Sequence, residues 1–220
     1  MESIYPEVIT TFAAVVLYGV PVAVAVLSYL LGCINGAIAT SHLFYHDDVR
    51  RHGSGNAGLT NFYRNYGAKC APMVIAFDML KAVGAVLLGN YFLGYLLGWG
   101  AAGKYFGALF CVIGHMFPVF YGFKGGKGVS STCGVMLMTF WWQALICYVI
   151  TIALIAITKF VSLGSLALVV LFGILVTATN WGNWLVIAWV WVIAGLCIYR
   201  HHANIGRLIH GTERKIGQKA

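Results

Sequence analysis

The chain has 220 residues, of which 60% are apolar or aromatic and only 9% charged, with a mean hydropathy of +0.84. A soluble domain carries about 25% charged residues, so this chain cannot cover a water-facing surface; soluble, disordered and disulfide-scaffold classes are excluded, and an all-α integral membrane protein is expected. Its charge is lopsided, 14 Lys and Arg against 6 Asp and Glu, which in so apolar a chain reads as cytoplasmic loops and an anionic substrate rather than nucleic acid.

The elements follow from the ~20 apolar residues that a bilayer-spanning helix needs. The first span is predicted over about Phe12 to Ile34, with a kink at Pro21; acidic Glu2 and Glu7 before it are the wrong flank for a cleavable signal peptide. A polar stretch from Thr40 to Lys69 comes next. The second span, about Ala71 to Leu97, carries Asp78 and Lys81, and the third, about Tyr105 to Tyr121, ends in His115 and Pro118. From Val129 to Thr158 there is no charge, and thirty residues would make one helix of ~45 Å or two short ones. The Trp141-Trp142-Gln143 cluster marks an interface near the middle, so two are expected. Spans near Leu166–Ala178 and Trp184–Tyr199 bring the total to about seven.

Seven spans put residues 40–69, 122–128, 159–165 and 200–220 on one side. Twelve of the 14 Lys and Arg fall there; Lys104 and Lys81 are the exceptions. The positive-inside rule then places the N-terminus outside and the C-terminus in the cytoplasm. The whole chain, 1–220, reads as a single polytopic unit. The six cysteines form no CxxC pair and lie mostly in or beside apolar runs, as small buried side chains do.

Four polar segments on that side share one chemistry. In Gly53-Ser54-Gly55-Asn56-Ala57-Gly58-Leu59-Thr60-Asn61-Phe62-Tyr63-Arg64, glycines let backbone N–H groups converge on an oxyanion, Ser and Thr add donors, and Arg64 offers a two-donor fork. Gly122-Phe123-Lys124-Gly125-Gly126-Lys127-Gly128 adds two ammonium groups ahead of a helix start. Val161-Ser162-Leu163-Gly164-Ser165 supplies hydroxyls, and Arg200-His201-His202-Ala203-Asn204-Ile205-Gly206-Arg207 imidazoles, an amide and two arginines. None carries a cluster of acids, so phosphate suits the set far better than metal.

Three look-alikes are set aside. GSGNAG at 53–58 fits GxGxxG, but no strand precedes it. GGKG lacks the Ser/Thr of a Walker A motif. His42 and Asp47 spell H-x4-D, used by soluble-type acyltransferases, without that family's other blocks. Asp78 and Lys81, i and i+3 on one helix face, would pair and lower the cost of charge in a membrane. His115 is read as shaping the end of its span. A transporter for a phosphorylated or anionic solute is the competing class, but it calls for mid-membrane charges in two matching halves, and no internal repeat is visible.

Together, GSGNAGLTNFYRNYG at 53–67, GHMFPVFYGFKGGKGVSS at 114–131, VSLGS at 161–165 and YRHHANIGRLIHGTERK at 199–215 resemble the bacterial acyl-phosphate:glycerol-3-phosphate acyltransferase family over essentially the whole chain. The resemblance implies a seven-helix enzyme of the bacterial cytoplasmic (inner) membrane, with its active site facing the cytoplasm. It would move a fatty acyl group from acyl phosphate to position 1 of glycerol 3-phosphate, giving lysophosphatidic acid and inorganic phosphate, the first step of phospholipid synthesis. By the same resemblance Ser54, Arg64, Lys127, His201 and Asn204 are catalytic. Gly53, Gly55, Asn56, Thr60, Asn61, Gly125, Gly126 and Ser165 bind substrate. No cofactor or metal is implied, and the partners are the two substrates, the bilayer and the soluble enzyme that makes acyl phosphate. Ala82 and Ser130-Ser131 depart from the family's usual small residues, which touches helix packing rather than chemistry.

Overall fold

The computed structural model describes Thr10 and residues 13–218; the acidic N-terminal flank and Phe12 lie outside the described residues. From Val20 onward the described residues form ten α-helices: α1 (Val20–Cys33), α2 (Gly36–Tyr45), α3 (Leu59–Tyr66), α4 (Ala71–Gly89), α5 (Ala101–Met116), α6 (Val129–Thr139), α7 (Trp141–Thr158), α8 (Val161–Thr179), α9 (Trp184–Arg200) and α10 (His202–Ile209). The described residues contain no strand. Apolar side chains face outward in quantity, Ile157 at 80% and Val149 at 69% exposure among them. That inverts the water-soluble arrangement and fits a surface solvated by lipid, where a helix satisfies its own backbone groups.

Among the described residues, five segments are long and apolar enough to cross a bilayer: Val15–Cys33, Ala71–Leu96, Ala101–Tyr121, Trp141–Thr158 and Val161–Thr179. A sixth is reached only if α9 and α10, bent by 61°, count as one. The remaining apolar helix, α6, has 11 residues, roughly 16 Å. All seven expected spans therefore appear as helices, but α6 is too short to span as a straight rod. Phe140, at φ −144° and ψ 65°, breaks α6 from α7 one residue before Trp141, where the aromatic cluster predicted a turn. Pro21 stands in the first turn of α1 behind a π-helical turn, Val15–Gly19, a position that spares the missing N–H.

Helices α1, α4 and α5 pack on one another, α6 lies against α4, α7 against α8, and α9 against α5 and α8. Glycines make the closest of these contacts. A methyl group at Gly107 would run into the Ala85 carbonyl, one at Gly114 into that of Tyr29, and one at Gly32 into that of Cys111. Backbones this close gain dispersion contact without needing a hydrophobic force, which lipid does not supply.

The 40–69 segment, read as a loop, is mostly helix. Asn35 separates α1 from α2: its Oδ1 accepts Ile38 N–H (3.0 Å) and its Nδ2 donates to Ala57 O (3.0 Å). Tyr45, Phe62 and Tyr66 then stack between α2 and α3. His42 and Asp47 do not pair; Asp47 accepts from Tyr66 (2.8 Å) and sits 2.6 Å from His52.

Candidate active site

Three helices begin at one polar cavity of about 130 Å³. Its wall includes Gly58, Leu59 and Thr60 at the start of α3, Gly128, Val129 and Ser130 at the start of α6, and Val161, Ser162 and Ser165 of α8. None of these helices has a side-chain N-cap. Their first N–H groups carry the positive end of the helix dipole with no intrahelical partner, the usual setting for a bound anion. Gly128 is required by its φ of +88°, a conformation that favours glycine.

Cations complete the wall. Arg64, Lys127 and Arg207 all line it, with Ser54, Asn56, Asn61, His115 and His201. Lys127 donates to Asn204 Oδ1. Burial pushes the Lys127 ammonium down to about 8; nearby Glu213 opposes this, while Arg207, Arg64 and Arg200 add to it. Arg64 reaches across the mouth to Arg214 O (2.9 Å), and its Nε is buried without a hydrogen-bond partner. Burial lowers its pKa from the ordinary value. An unmatched guanidinium N–H beside open helix starts is a donor set awaiting an anionic oxygen.

The predicted residues divide. Ser54, Asn56, Thr60, Asn61, Arg64, Lys127, Ser165 and His201 line the cavity; Asn204 touches it through Lys127. Asn61 spends its amide on the loop, accepting from Ser54 N and donating to Val49 O and His52 O. Gly53, Gly55, Gly125 and Gly126 lie outside the lining. Gly53 and Gly55 turn the chain at φ +58° and +68°. Gly126 donates its N–H to His115 O (3.1 Å), and Arg200 holds the carbonyls of Gly125 and Gly126 (3.2 Å each). His201 donates Nδ1–H to Cys197 O (2.7 Å), which leaves Nε2 as a lone pair; burial holds its pKa down at about 4.

Glu213, which the sequence reading passed over, organises one side. It accepts from Ser162 Oγ (2.7 Å), Asn204 Nδ2 (2.8 Å) and Arg207 Nε (2.7 Å). These donors hold its carboxyl below the usual carboxylate range, although burial alone would raise it. Behind the cavity Lys81 donates to Gly32 O (3.0 Å) and Ile34 O (2.7 Å), pairs with Asp78 (2.9 Å), and lies 2.8 Å from His115 Nδ1. Among the described residues, no three His, Cys, Asp or Glu side chains are placed to hold a metal. An apolar groove of about 380 Å³ adjoins the cavity, sharing Leu59, Thr60, Arg64 and Val161 with it and adding Ile75, Ile155 and Ile216.

A family model described as glycerol-3-phosphate acyltransferase matches residues 22–211. The chain is 40% identical over 198 residues to the glycerol-3-phosphate acyltransferase of Thermoanaerobacter sp. (strain X514), covering 90% of this chain and 96% of the relative. It is also 40% identical to that of Clostridioides difficile (strain 630), with the same coverage. Among solved structures it is similar to PlsY (YgiH), an integral membrane glycerol 3-phosphate acyltransferase. The glycerol 3-phosphate form matches with a TM-score of 0.81 at 32% identity, over 90% of this chain and 96% of the other. The lysophosphatidic acid form matches with a TM-score of 0.78 at 31% identity. These likenesses set aside the transporter reading: the chain is a multi-pass membrane acyltransferase and belongs to the glycerol-3-phosphate acyltransferase family.

Proposed function

We propose that this enzyme transfers a fatty acyl group from acyl phosphate to the position 1 hydroxyl of glycerol 3-phosphate, releasing inorganic phosphate and lysophosphatidic acid. The observation that carries this reading is the junction of a cationic cavity, fed by three open helix starts, with a largely apolar groove. One ligand must be phosphorylated and the other must carry a long alkyl chain. The acyl chain lies in the groove, and its carbonyl meets the glycerol hydroxyl where Thr60 and Arg64 belong to both spaces. Ser54, Lys127, Ser165 and Arg207 hold phosphate oxygens. Following the positive-inside count, the cavity faces the cytoplasm of a bacterial inner membrane, where a soluble enzyme supplies the acyl phosphate.

An acyl phosphate is already activated, so no nucleophilic side chain is needed. The hydroxyl oxygen attacks the acyl carbon, the carbon–oxygen bond to phosphate breaks, and the proton must go to a base. A phosphate monoester has its second pKa near ~6, two orders of magnitude more basic than His201 at about 4. A substrate phosphate is therefore the better acceptor, and His201 orients. Proximity in ideal cases is worth ~7–11 kcal/mol, and fixed cations with N–H donors stabilise the transition-state charge. Purified protein in nanodiscs should release phosphate from palmitoyl phosphate only when glycerol 3-phosphate is present, and should be inert with palmitoyl-CoA. Comparable turnover with the thioester would refute the donor assignment.

A further inference from the structure

Arg200 lies outside the lining of the polar cavity, yet it grips the loop that carries Lys127. It is the last residue of α9, immediately before His201. An arginine at the end of an apolar helix ordinarily snorkels outward to water or lipid headgroups. This one turns inward. Its Nε donates to Gly126 O and its Nη2 to Gly125 O, each at 3.2 Å. Its guanidinium carbon stands 5.0 Å from the centre of the Phe117 ring, just past the end of α5, a cation–π contact. Among the described residues no carboxylate pairs with it.

Bonds to two successive carbonyls use what is particular to a guanidinium, several N–H donors fixed in one plane. They fix two peptide groups at once. In a trans peptide each carbonyl points opposite to the N–H that follows it, and the described residues contain no cis peptide. With the Gly125 carbonyl on Arg200, the Gly126 N–H is directed to the other side, where it donates to His115 O (3.1 Å). With the Gly126 carbonyl held likewise, the Lys127 N–H is turned away from Arg200 as well. The loop is caught between Arg200 on one side and His115 on the other. No other described group donates to either carbonyl, so without Arg200 that side of the loop is unheld. Lys127 therefore enters the cavity wall from a fixed backbone, and its Nζ is met by Asn204, four residues beyond Arg200.

We infer that Arg200 is a positioning residue: by holding the Gly125 and Gly126 carbonyls it sets the backbone from which Lys127 reaches substrate phosphate, and it acts through that loop alone. This rests on the phosphate role given to Lys127 above. The test is a double-mutant cycle in nanodiscs, read by glycerol 3-phosphate affinity in titration calorimetry and by kcat/KM. Arg200→Lys keeps the charge and the alkyl stem but has no planar fork; it should lose at least tenfold in both readouts. In a Lys127→Met background the same replacement should cost less than twofold, because the side chain it positions is gone. An equal loss in both backgrounds would mark a merely structural role, and Arg200→Lys within twofold of wild type would mark a contribution of charge only. Either result overturns the inference. Should Arg200→Lys not fold, wild type labelled with ¹⁵N-arginine decides. Its Arg200 Nε–H should exchange with water at least tenfold more slowly than that of exposed Arg51, and equal rates overturn the inference. Coupled losses of glycerol 3-phosphate binding in a protein without acyl-phosphate turnover would support it and sink only the proposed reaction.

Discussion

Lys127 and Glu213 set a pH limit on this enzyme. Phosphate binding requires the ammonium form of Lys127, and with its pKa at about 8 the cation is about 90% present at pH 7, half at pH 8 and about 10% at pH 9. The charge is fully present below the folded pKa and lost as pH rises through it. kcat/KM, which reports the free enzyme, should therefore fall about tenfold between pH 7 and pH 9. Glu213 is the acid that holds this pKa up against burial and three arginines, so Glu213→Gln should move the fall to lower pH. At pH 6.5 the same variant should be only mildly impaired. Its amide oxygen can still accept from Ser162 and Asn204, and the lost ion pair is to an Arg207 side chain 41% exposed, worth about 1 kcal/mol after screening, or roughly fivefold. The assay is a pH–rate profile from 6.5 to 9.5 in nanodiscs for both proteins, with Lys127→Met as the variant lacking this limb. A wild-type profile flat to pH 9, or a Glu213→Gln midpoint unchanged or raised, would refute the reasoning.

Other substitutions divide the charges by role. Lys127→Ala should lose thirty- to a thousandfold in rate, the equivalent of about 2–4 kcal/mol for one charge-assisted contact to a buried anion. Arg64→Lys should also fail, since a point charge cannot supply both Arg214 O and a substrate oxygen in plane; activity within threefold of wild type would show that the fork is not used. Lys104, at the far start of α5, is the control, and Lys104→Ala should be nearly silent in the same assay. EDTA dialysis should leave turnover intact, and loss restored by Mg²⁺ would reassign the phosphate contacts. Gly107→Ala should lower the melting temperature in detergent, because pushing α5 off the Ala85 carbonyl costs about 1–3 kcal/mol; an unshifted transition would mean the two helices separate freely.

Composition and hydropathy carried most of the architecture. The break at Phe140 was legible because Trp141-Trp142-Gln143 interrupts an otherwise featureless apolar run. Helices α2, α3 and α10 were not, because they are 10, 8 and 8 residues long and too polar for a span pattern. Within the site, Arg64 and Lys127 could be found because glycines and hydroxyls surround them locally, and His201 because a second imidazole, an amide and two arginines do. Glu213 could not: its partners are Ser162, Asn204 and Arg207, the first of them 51 positions away, and between Thr212 and Arg214 it reads as a solvated tail. His115 ends an apolar helix, and nothing along the chain announces that Lys81, 34 positions earlier, grips its ring. Gly125 and Gly126, expected by resemblance to bind substrate, also let their loop pack closely on His115, Gly125 on its carbonyl and Gly126 on its ring.

Helix α4 carries charge into the bilayer that its neighbours must help to satisfy. Asp78 and Lys81 would each cost about 2.5–3.5 kcal/mol at the centre of an isolated inserting helix. The groups that relieve this come from both directions along the chain. The carbonyls of Gly32 and Ile34, from the end of α1, are synthesised before α4, while His115, from α5, is synthesised after it. A nascent α4 meets Gly32, Ile34 and Gly36 on entry and His115 only when α5 follows. Insertion and packing are therefore coupled for α1, α4 and α5, and a lesion in α1 or α5 leaves the charges of α4 short of partners during biogenesis as well as in the finished enzyme.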